Sequence, residues 1–429
     1  MANIAGSEQQ EPIRLPWKIF WVAFAIRVLY MTLAHTYRFR PGEDHFQFGW
    51  EAGRIARALV NGYGYADPFF GHTGPTAWLP PLYTFIIAAA FKIFGVYSPM
   101  AAWSILTLNS VFSALTALAI FEIAYRCFNP KVAIWSAWLW ALYPAAMQFA
   151  VRWVWEMTLT CLLFSWLIVM TLRMAENGGG SWRQWTVFGA LGGLIALTQP
   201  TPLMMLPVCV IWVYLKAKAR FFPALQKAVA ATLIVIAFTM PWVVRNYRIF
   251  HTFIPMRDNF GAENYMGNSD WSVGFPWGGL IWYGQNKLQQ EYATAGEIAF
   301  VKVRGDAAKQ WIATHRSRYF QLAALRTYMF WAGVPQPIVP HKEYVEYGRE
   351  INFAFGSVAG LLGLALALKR KIKGAWLFAA AFLLLPLPYY FVTVQARFRH
   401  VFEPLIMILG VYLFQSAEKR RKAPTETMP

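Results

Sequence analysis

Residues 40–81 read RPGEDHFQFGWEAGRIARALVNGYGYADPFFGHTGPTAWLPP. They follow the first long apolar run, Trp17 to Thr36, and form the one long polar and aromatic insert in the first half of the chain. Two carboxylates, Glu43 and Asp44, stand at its entrance. From Asp44 onward the spacing predicts an amphipathic helix. Gln47, Glu51, Arg54, Arg57 and Asn61 recur at steps of three and four and make one polar face, while Phe48, Ala52, Ile55, Ala56 and Leu59 make the apolar one. Asp44 followed by Gln47 has the logic of a capping box, and Gly62 is a natural C-terminal stop. Such a helix lies flat on a membrane. Two compatible readings of Asp44 stay open: an N-cap, and a carboxylate fixed at the membrane surface as a general base. Glu43 reads as a solvated neighbour or a secondary helper that binds substrate.

The surrounding chain decides that a membrane is the right context. Of its 429 residues 57% are hydrophobic and only 14% charged, too few charges to cover a soluble protein of this size. Apolar stretches at 17–36, 100–125, 131–149, 154–172, 185–199, 201–216, 228–245, 351–368, 374–392 and 401–416 predict an all-α polytopic membrane protein of about ten spans. The first is read as a retained helix, because the N-terminus carries Glu8 and Glu11 and lacks a basic leader region. The net charge of +18 then speaks of topology and anionic lipid, not nucleic acid. Cys127, Cys161 and Cys209 have no metal-ligand spacing and read as apolar fillers.

Lysine and arginine set the orientation. Arg126 and Lys131, Arg173 and Arg183, the run from Lys216 to Lys227, the run from Lys369 to Lys373, and Lys419 to Lys422 all fall on the side of the N-terminus. By the positive-inside rule that side is cytoplasmic. Residues 81–95 are apolar but too short to span, and counting them would place the basic loops outside, so they predict an interfacial helix. Residues 320–335 receive the same reading. The resulting divisions are a cytoplasmic segment 1–16, a transmembrane module 17–245 with the outward loop 37–99, an outward region 246–350, C-terminal spans 351–416 and a cytoplasmic tail 417–429. The region 246–350 holds an expected helix from Glu291 to His315, broken near Gly305, and reads as a cap over a cavity in the membrane part.

Several outward groups need a reason to be there. Glu156 stands at the outer end of a span, where an unpaired ionisable group is costly. It reads either as an i,i+4 partner of Arg152 or as a wall of the cavity that Asp44 faces. Arg397 and Arg399, with Arg245 at the end of another span, run against the usual charge bias of outer loops. They read as donors to an anionic ligand, for which the guanidinium fork suits phosphate, or as side chains snorkelling to headgroups. Arg27, midway along the first span, must face the bundle interior or a partner. No P-loop, dinucleotide-binding glycine motif, HExxH or Gly-x-Ser-x-Gly elbow occurs, and the seven histidines are scattered. No cofactor is required by this reading and no metal ligand set is assigned.

The motifs together resemble a known pattern. Asp44-x-x-x-Phe48-x-x-x-Ala52, then Asn61-Gly62-Tyr63-Gly64-Tyr65 and Pro75-Thr76-Ala77-Trp78-x-Pro80-Pro81-Leu82-Tyr83, resemble the first periplasmic loop of the GT-C superfamily of membrane glycosyltransferases. The nearest likeness is to bacterial phospholipid-carrier-dependent transferases; protein O-mannosyltransferases and the lipid A aminoarabinose transferase are more distant. Leu197–Thr201, Pro241-Trp242-x-x-Arg245-Asn246-Tyr247, Asn264–Asn268 and Arg397-Phe398-Arg399 are similar to further pieces of that pattern. Gln199 and the order Glu43-Asp44-His45 depart from it.

The resemblance implies a GT-C fold in a bacterial inner membrane with its site on the periplasmic face. It implies a polyprenyl-phosphate-linked sugar as donor, and an acceptor protein, lipid or glycan. Asp44 would be the general base, and Arg397, Arg399 and Arg245 would bind the donor phosphate. Glu156, Arg152, His72, Trp78, Tyr83 and Asn246 would line the substrate cavity. Two other readings remain open at this point: a polysaccharide polymerase or ligase using a lipid diphosphate, and a flippase or transporter of a lipid-linked sugar.

Overall fold

A computed structural model describes residues 13–39, 46–218, 220–276, 286–334 and 344–421. Among these residues the chain is helical, with no strand beyond one isolated bridge between Ala66 and Pro75. The helices are α1 (Trp17–Leu33), α2 (Glu51–Val60), α3 (Pro81–Phe94), α4 (Pro99–Cys127), α5 (Pro130–Leu142), α6 (Pro144–Val151), α7 (Met157–Glu176), α8 (Trp182–Thr198), α9 (Met205–Ala217) and α10 (Phe221–Phe250). They continue as α11 (Phe260–Gly267), α12 (Asn286–Ala295), α13 (Glu297–Thr314), α14 (Arg316–Ala332), α15 (Tyr344–Lys369), α16 (Ala375–Leu384), α17 (Leu387–Phe391) and α18 (Glu403–Arg421).

Five helical stretches are long and apolar enough to cross a membrane: α4, α7, α10, Tyr347–Lys369 and Ala396–Glu418. The chain is therefore a multi-pass membrane protein. The other expected spans are also helical, but shorter or broken. Proline breaks two of them, at Pro144 between α5 and α6 and at Pro386 between α16 and α17. The short apolar segment 81–95 forms α3, packed beside α2, α4 and α8.

The basic loops gather at one end of the bundle. Glu122 of α4 accepts from Arg126 at 2.8 Å and from Arg173 at 2.6 Å, Glu176 pairs with Arg126 and Lys373, and Lys227 donates to the Gly180 carbonyl at 2.6 Å. The first loop and the region after α10 meet at the other end. Three buried free cysteines fill space within the bundle.

The break at Pro144 explains Arg27. Proline has no N–H for the carbonyl four residues back, so the Trp140 carbonyl keeps only a long backbone bond, from Tyr143 N at 3.4 Å, at the end of α5. The buried Arg27 guanidinium takes that place, donating to Trp140 O at 3.1 Å, Ala141 O at 2.9 Å and Ala23 O at 3.0 Å. The costly cation of the first span is thus a cap for a broken helix across the bundle.

Two expected elements differ. The helix anticipated from Asp44 begins instead at Glu51. A short 3-10 turn, Phe46–Phe48, precedes it, and Gly49 (φ 80°) and Trp50 (φ 48°) turn the chain through the left-handed region. Gly49 lies so close to the chain that a Cβ there would sit 2.7 Å from the Val154 carbonyl. Packing against residues 153–155 therefore overrides the local capping signal, and Asp44 is not the N-cap of α2. The other end follows expectation: Gly62 (φ 87°) closes α2 with Tyr63 N to Ala58 O at 2.9 Å and Gly62 N to Leu59 O at 3.3 Å. The helix expected over 291–315 breaks at Gly296 (φ 79°), not at Gly305, whose missing side chain instead admits α11 against α13.

Candidate active site

The chain bonds that shape the site begin where helices stop. Between α6 and α7, residues 153–155 are extended, and Val154 N donates to the Gln47 carbonyl at 2.8 Å. Tyr83 and Asn109 exchange hydrogen bonds, and Asn109 reaches the Trp153 carbonyl at 3.3 Å. The first loop is thereby fastened to the α6–α7 break. A cavity of about 260 Å³ opens beside it. The first loop gives Gly49, Trp50 and Glu51, and the break gives Gln148, Phe149, Trp153 and Trp155. From the region after α10 come Glu263, Met266, Arg349 and Glu350. The turn before α18 adds Gln395 and Arg397, and α18 adds its first residue, Glu403.

Arg397 and Arg399 stand two apart on a 3-10 turn, Ala396–Phe402, and have different fates. Arg399 is buried and points at α15, donating to Phe353 O at 2.9 Å and Ser357 Oγ at 2.5 Å. Glu403, 3.3 Å away, balances its charge and also accepts from His400 Nδ1 at 2.9 Å. Arg397 faces the cavity with its guanidinium 4.1 Å from the Trp155 ring centre and makes no hydrogen bond or ion pair with the described residues. A half-buried cation with an uncommitted fork is set to receive an anion.

Two carboxylates share the electrostatic field of Arg397. Burial pushes Glu51 up to about 7, against the pull of its own helix N-terminus, Arg397 and Arg257. Burial likewise raises Glu263, with Arg257 and Arg397 acting in the opposite direction. Near neutral pH Glu51 therefore holds a proton part of the time, the condition that lets a group give or take one. Among the described residues no three His, Cys, Asp or Glu side chains come together as a metal site.

A second, apolar cavity of about 180 Å³ runs between α5, α15 and α18, lined by Leu139, Phe355, Ile406, Met407 and Phe414. It shares Asn352 and Glu403 with the first. The first cavity and this apolar one thus adjoin at these two residues.

The other residues singled out in the sequence sit elsewhere. Asp44 and Glu43 lie outside the described residues; along the chain Asp44 stands five positions before Gly49 of the cavity wall. Arg245 does not line the cavity. It donates to Thr76 O at 2.6 Å and Tyr65 O at 2.7 Å and stacks over Trp242, clamping the first loop to α10. Asn246 supports it from the same helix and donates to Ile254 O at 3.0 Å. His72 is held by Asp67 at 3.0 Å on the outer surface of the loop. Trp78 is buried against Phe69 and Tyr292, and Tyr83 is committed to Asn109. Arg152 is exposed and Glu156 half-buried, and they form no ion pair: α6 ends at Val151 and α7 begins at Met157, so no helix holds them at i,i+4 spacing. Glu51 and Glu263 escaped the sequence reading. Glu51 was placed on an outward polar face, and the one hint for Glu263 was its position directly before the Asn264–Asn268 motif.

A third carboxylate, Glu297, is structural. It opens α13, is buried, and accepts from Ala77 N at 2.7 Å, Tyr292 OH at 2.6 Å and the Thr76 hydroxyl. Burial pushes it up to about 7 from an ordinary 4.5. The folded state therefore binds this proton more tightly than the unfolded one. Stability from this group is full below about pH 4.5, falls as pH rises, and levels off above about 7, a loss of roughly 3 kcal/mol. Thermal unfolding across pH 4.5–7.5 will show Glu297→Gln losing less stability over that interval than the native chain. Parallel curves would rule the account out.

Comparison with known proteins agrees with the fold. Residues 79–244 match the family described as dolichyl-phosphate-mannose-protein mannosyltransferase. The oligosaccharyltransferase of Archaeoglobus fulgidus, in its apo form, is similar over 95% of this chain and 51% of its own, with 12% identity and a TM-score of 0.54. This chain thus spans about half the length of that enzyme. ArnT from Cupriavidus metallidurans, bound to undecaprenyl phosphate, is similar over 96% of this chain and 82% of its own, at 15% identity and a TM-score of 0.42. No curated protein matches in sequence. The fold is that of the GT-C membrane glycosyltransferases.

Proposed function

We propose that the protein is an inverting glycosyltransferase that moves a sugar from a polyprenyl-phosphate donor to an acceptor hydroxyl at the outer face of a bacterial inner membrane. The observation that carries this reading is the uncommitted Arg397 in a cavity that adjoins an apolar one at Asn352 and Glu403. A lipid phosphate has the matching two parts, an anion and a long apolar chain. The family matched over 79–244 is described by a dolichyl-phosphate donor, which is the same chemistry.

In this reading the acceptor oxygen attacks the anomeric carbon from the side opposite the phosphate, and Asp44 takes the hydroxyl proton. The bond from the anomeric carbon to the phosphate oxygen breaks, and its electron pair leaves on the lipid phosphate. Arg397 stabilises that charge as it develops. A single displacement inverts the anomeric centre. Arg399, already matched by Glu403, orients the turn that presents Arg397. The carboxylates Glu51 and Glu263 remain to bind hydroxyls of the sugar or acceptor.

The test is the lipid and the product. Mass spectrometry of lipid co-purifying with the full chain is expected to find a polyprenyl phosphate, with or without its sugar. The purified chain given a polyprenyl-phosphate sugar and an acceptor extract is expected to release polyprenyl phosphate and form an inverted linkage. A lipid diphosphate in the protein would point to a polymerase or ligase instead. Movement of intact lipid-linked sugar across a vesicle membrane, with no bond cleaved, would make it a flippase.

A further inference from the structure

At the opposite, basic end of the bundle a third cavity, of about 360 Å³, opens between α8, α9 and the start of α10. Its floor is apolar: Trp185 is buried there, with Val210, Val213 and Ala228 beside it. Trp185 Nε1 donates to Gly179 O at 2.8 Å, and the neighbouring Gly180 carbonyl accepts from Lys227 at 2.6 Å, so these groups are satisfied internally. Tyr214 also lines the cavity and brings one hydroxyl, while the rest of the floor is apolar, so what fills it is mainly hydrocarbon.

The rim has the opposite character. Arg220 is exposed and its guanidinium makes no hydrogen bond or ion pair with the described residues. Lys227 uses one of its three ammonium donors on Gly180 and keeps two. Lys216 and Lys218 stand on the adjoining end of α9. Exposed Phe221, Leu225 and Ile211 line the approach from the membrane side. An apolar slot under a basic rim is complementary to one kind of molecule, an acyl chain that ends in a phosphate.

We propose that this cavity is a binding site for an anionic phospholipid of the bilayer, with an acyl chain against Trp185 and the phosphate between Arg220 and Lys227. The site lies at the end of the bundle away from the Arg397 cavity and needs no part of the transfer reaction.

The experiment is native mass spectrometry of the detergent-solubilised full chain, reloaded with phosphatidylglycerol or phosphatidylethanolamine. The native chain is expected to retain phosphatidylglycerol in preference to phosphatidylethanolamine. Arg220→Ala is expected to weaken that retention about fivefold, and the double variant with Lys227→Ala further, each removed charge acting near a lipid phosphate. Lys18→Ala removes an exposed charge from the same end, outside the cavity, and is expected to leave retention unchanged. Arg220 is exposed and its side chain has no partner among the described residues, so its variant tests the site without disturbing the fold. Equal retention of the two lipids would overturn the proposal. So would no retained lipid, or as large a loss with Lys18→Ala, which would mean that any charge at this end of the bundle serves.

Discussion

Arg397→Ala is expected to raise the apparent Michaelis constant for a polyprenyl-phosphate donor by about 10- to 100-fold, the worth of a charge-assisted contact to an anion. The chain should fold as before, because Arg397 makes no hydrogen bond or ion pair with the described residues and meets only the Trp155 and Phe398 rings among their aromatic groups. Arg399→Ala supplies the contrast. It would leave Glu403 buried beside His400 with its cation removed, and would strip the Phe353 carbonyl and Ser357 hydroxyl of their donor. Removing one partner of a buried pair is costly, about 3–5 kcal/mol, so this variant should fail in thermal stability before it fails in donor affinity. The measurement is donor titration at saturating acceptor, with melting temperature recorded for each variant. If donor affinity is unchanged by Arg397→Ala, the phosphate is held elsewhere. If both variants lose affinity alike with no change in melting, Arg399 is a ligand and its pairing with Glu403 gives way to the donor.

That two arginines in the motif Arg397-Phe398-Arg399 separate so cleanly is not legible in the sequence. Their charge is legible, and apolar run lengths with the basic loops predict that they stand at the end of the bundle away from those loops. What Arg399 meets depends on α15, more than forty residues away along the chain, and what Arg397 meets depends on Trp155, further away still. The same holds across the molecule. For Arg27 the sequence leaves open the bundle interior or a partner, and its acceptors are carbonyls beside a proline more than a hundred residues later. Glu297 drew no notice in the sequence, since the Thr76 and Ala77 groups that hold it lie 221 and 220 positions away. By the resemblance, Trp78, Tyr83 and Asn246 of the family motifs line the cavity and Arg245 binds the donor phosphate. They prove to be the joints that fix the first loop to α10, α13 and the α6–α7 break. A motif can be specific for a fold because it builds the scaffold, without touching what the scaffold holds. The misplaced start of α2 has a related cause: Asp44 and Gln47 carry a local capping signal, and a long-range contact at Gly49 overrides it.

Asp44→Asn is expected to abolish glycosyl transfer, by a factor of about 10² to 10⁴, while leaving insertion, melting temperature and donor affinity near native. Asparagine keeps the size and the hydrogen-bonding oxygen of aspartate but cannot accept the hydroxyl proton, so loss confined to turnover isolates proton transfer from binding. The structure adds a rival for that role. Glu51 stands seven residues further along, lines the cavity, and is raised to about 7, where a base shares its proton most readily at neutral pH. The two carboxylates are distinguishable by their pH profiles. An aspartate of ordinary acidity as base leaves turnover flat from about pH 5 upward. Glu51 as base would make turnover rise through pH 7 and level off above it. The expected result is a flat profile for the native chain and no turnover for Asp44→Asn, with Glu51→Gln altering affinity for sugar or acceptor more than rate. Turnover that survives in Asp44→Asn but disappears in Glu51→Gln, together with a limb near pH 7, would move the general base from the entrance of the first loop to the first turn of α2. Arg397 would keep its place opposite the leaving phosphate under either outcome, because the charge it answers forms on the donor whichever carboxylate takes the proton.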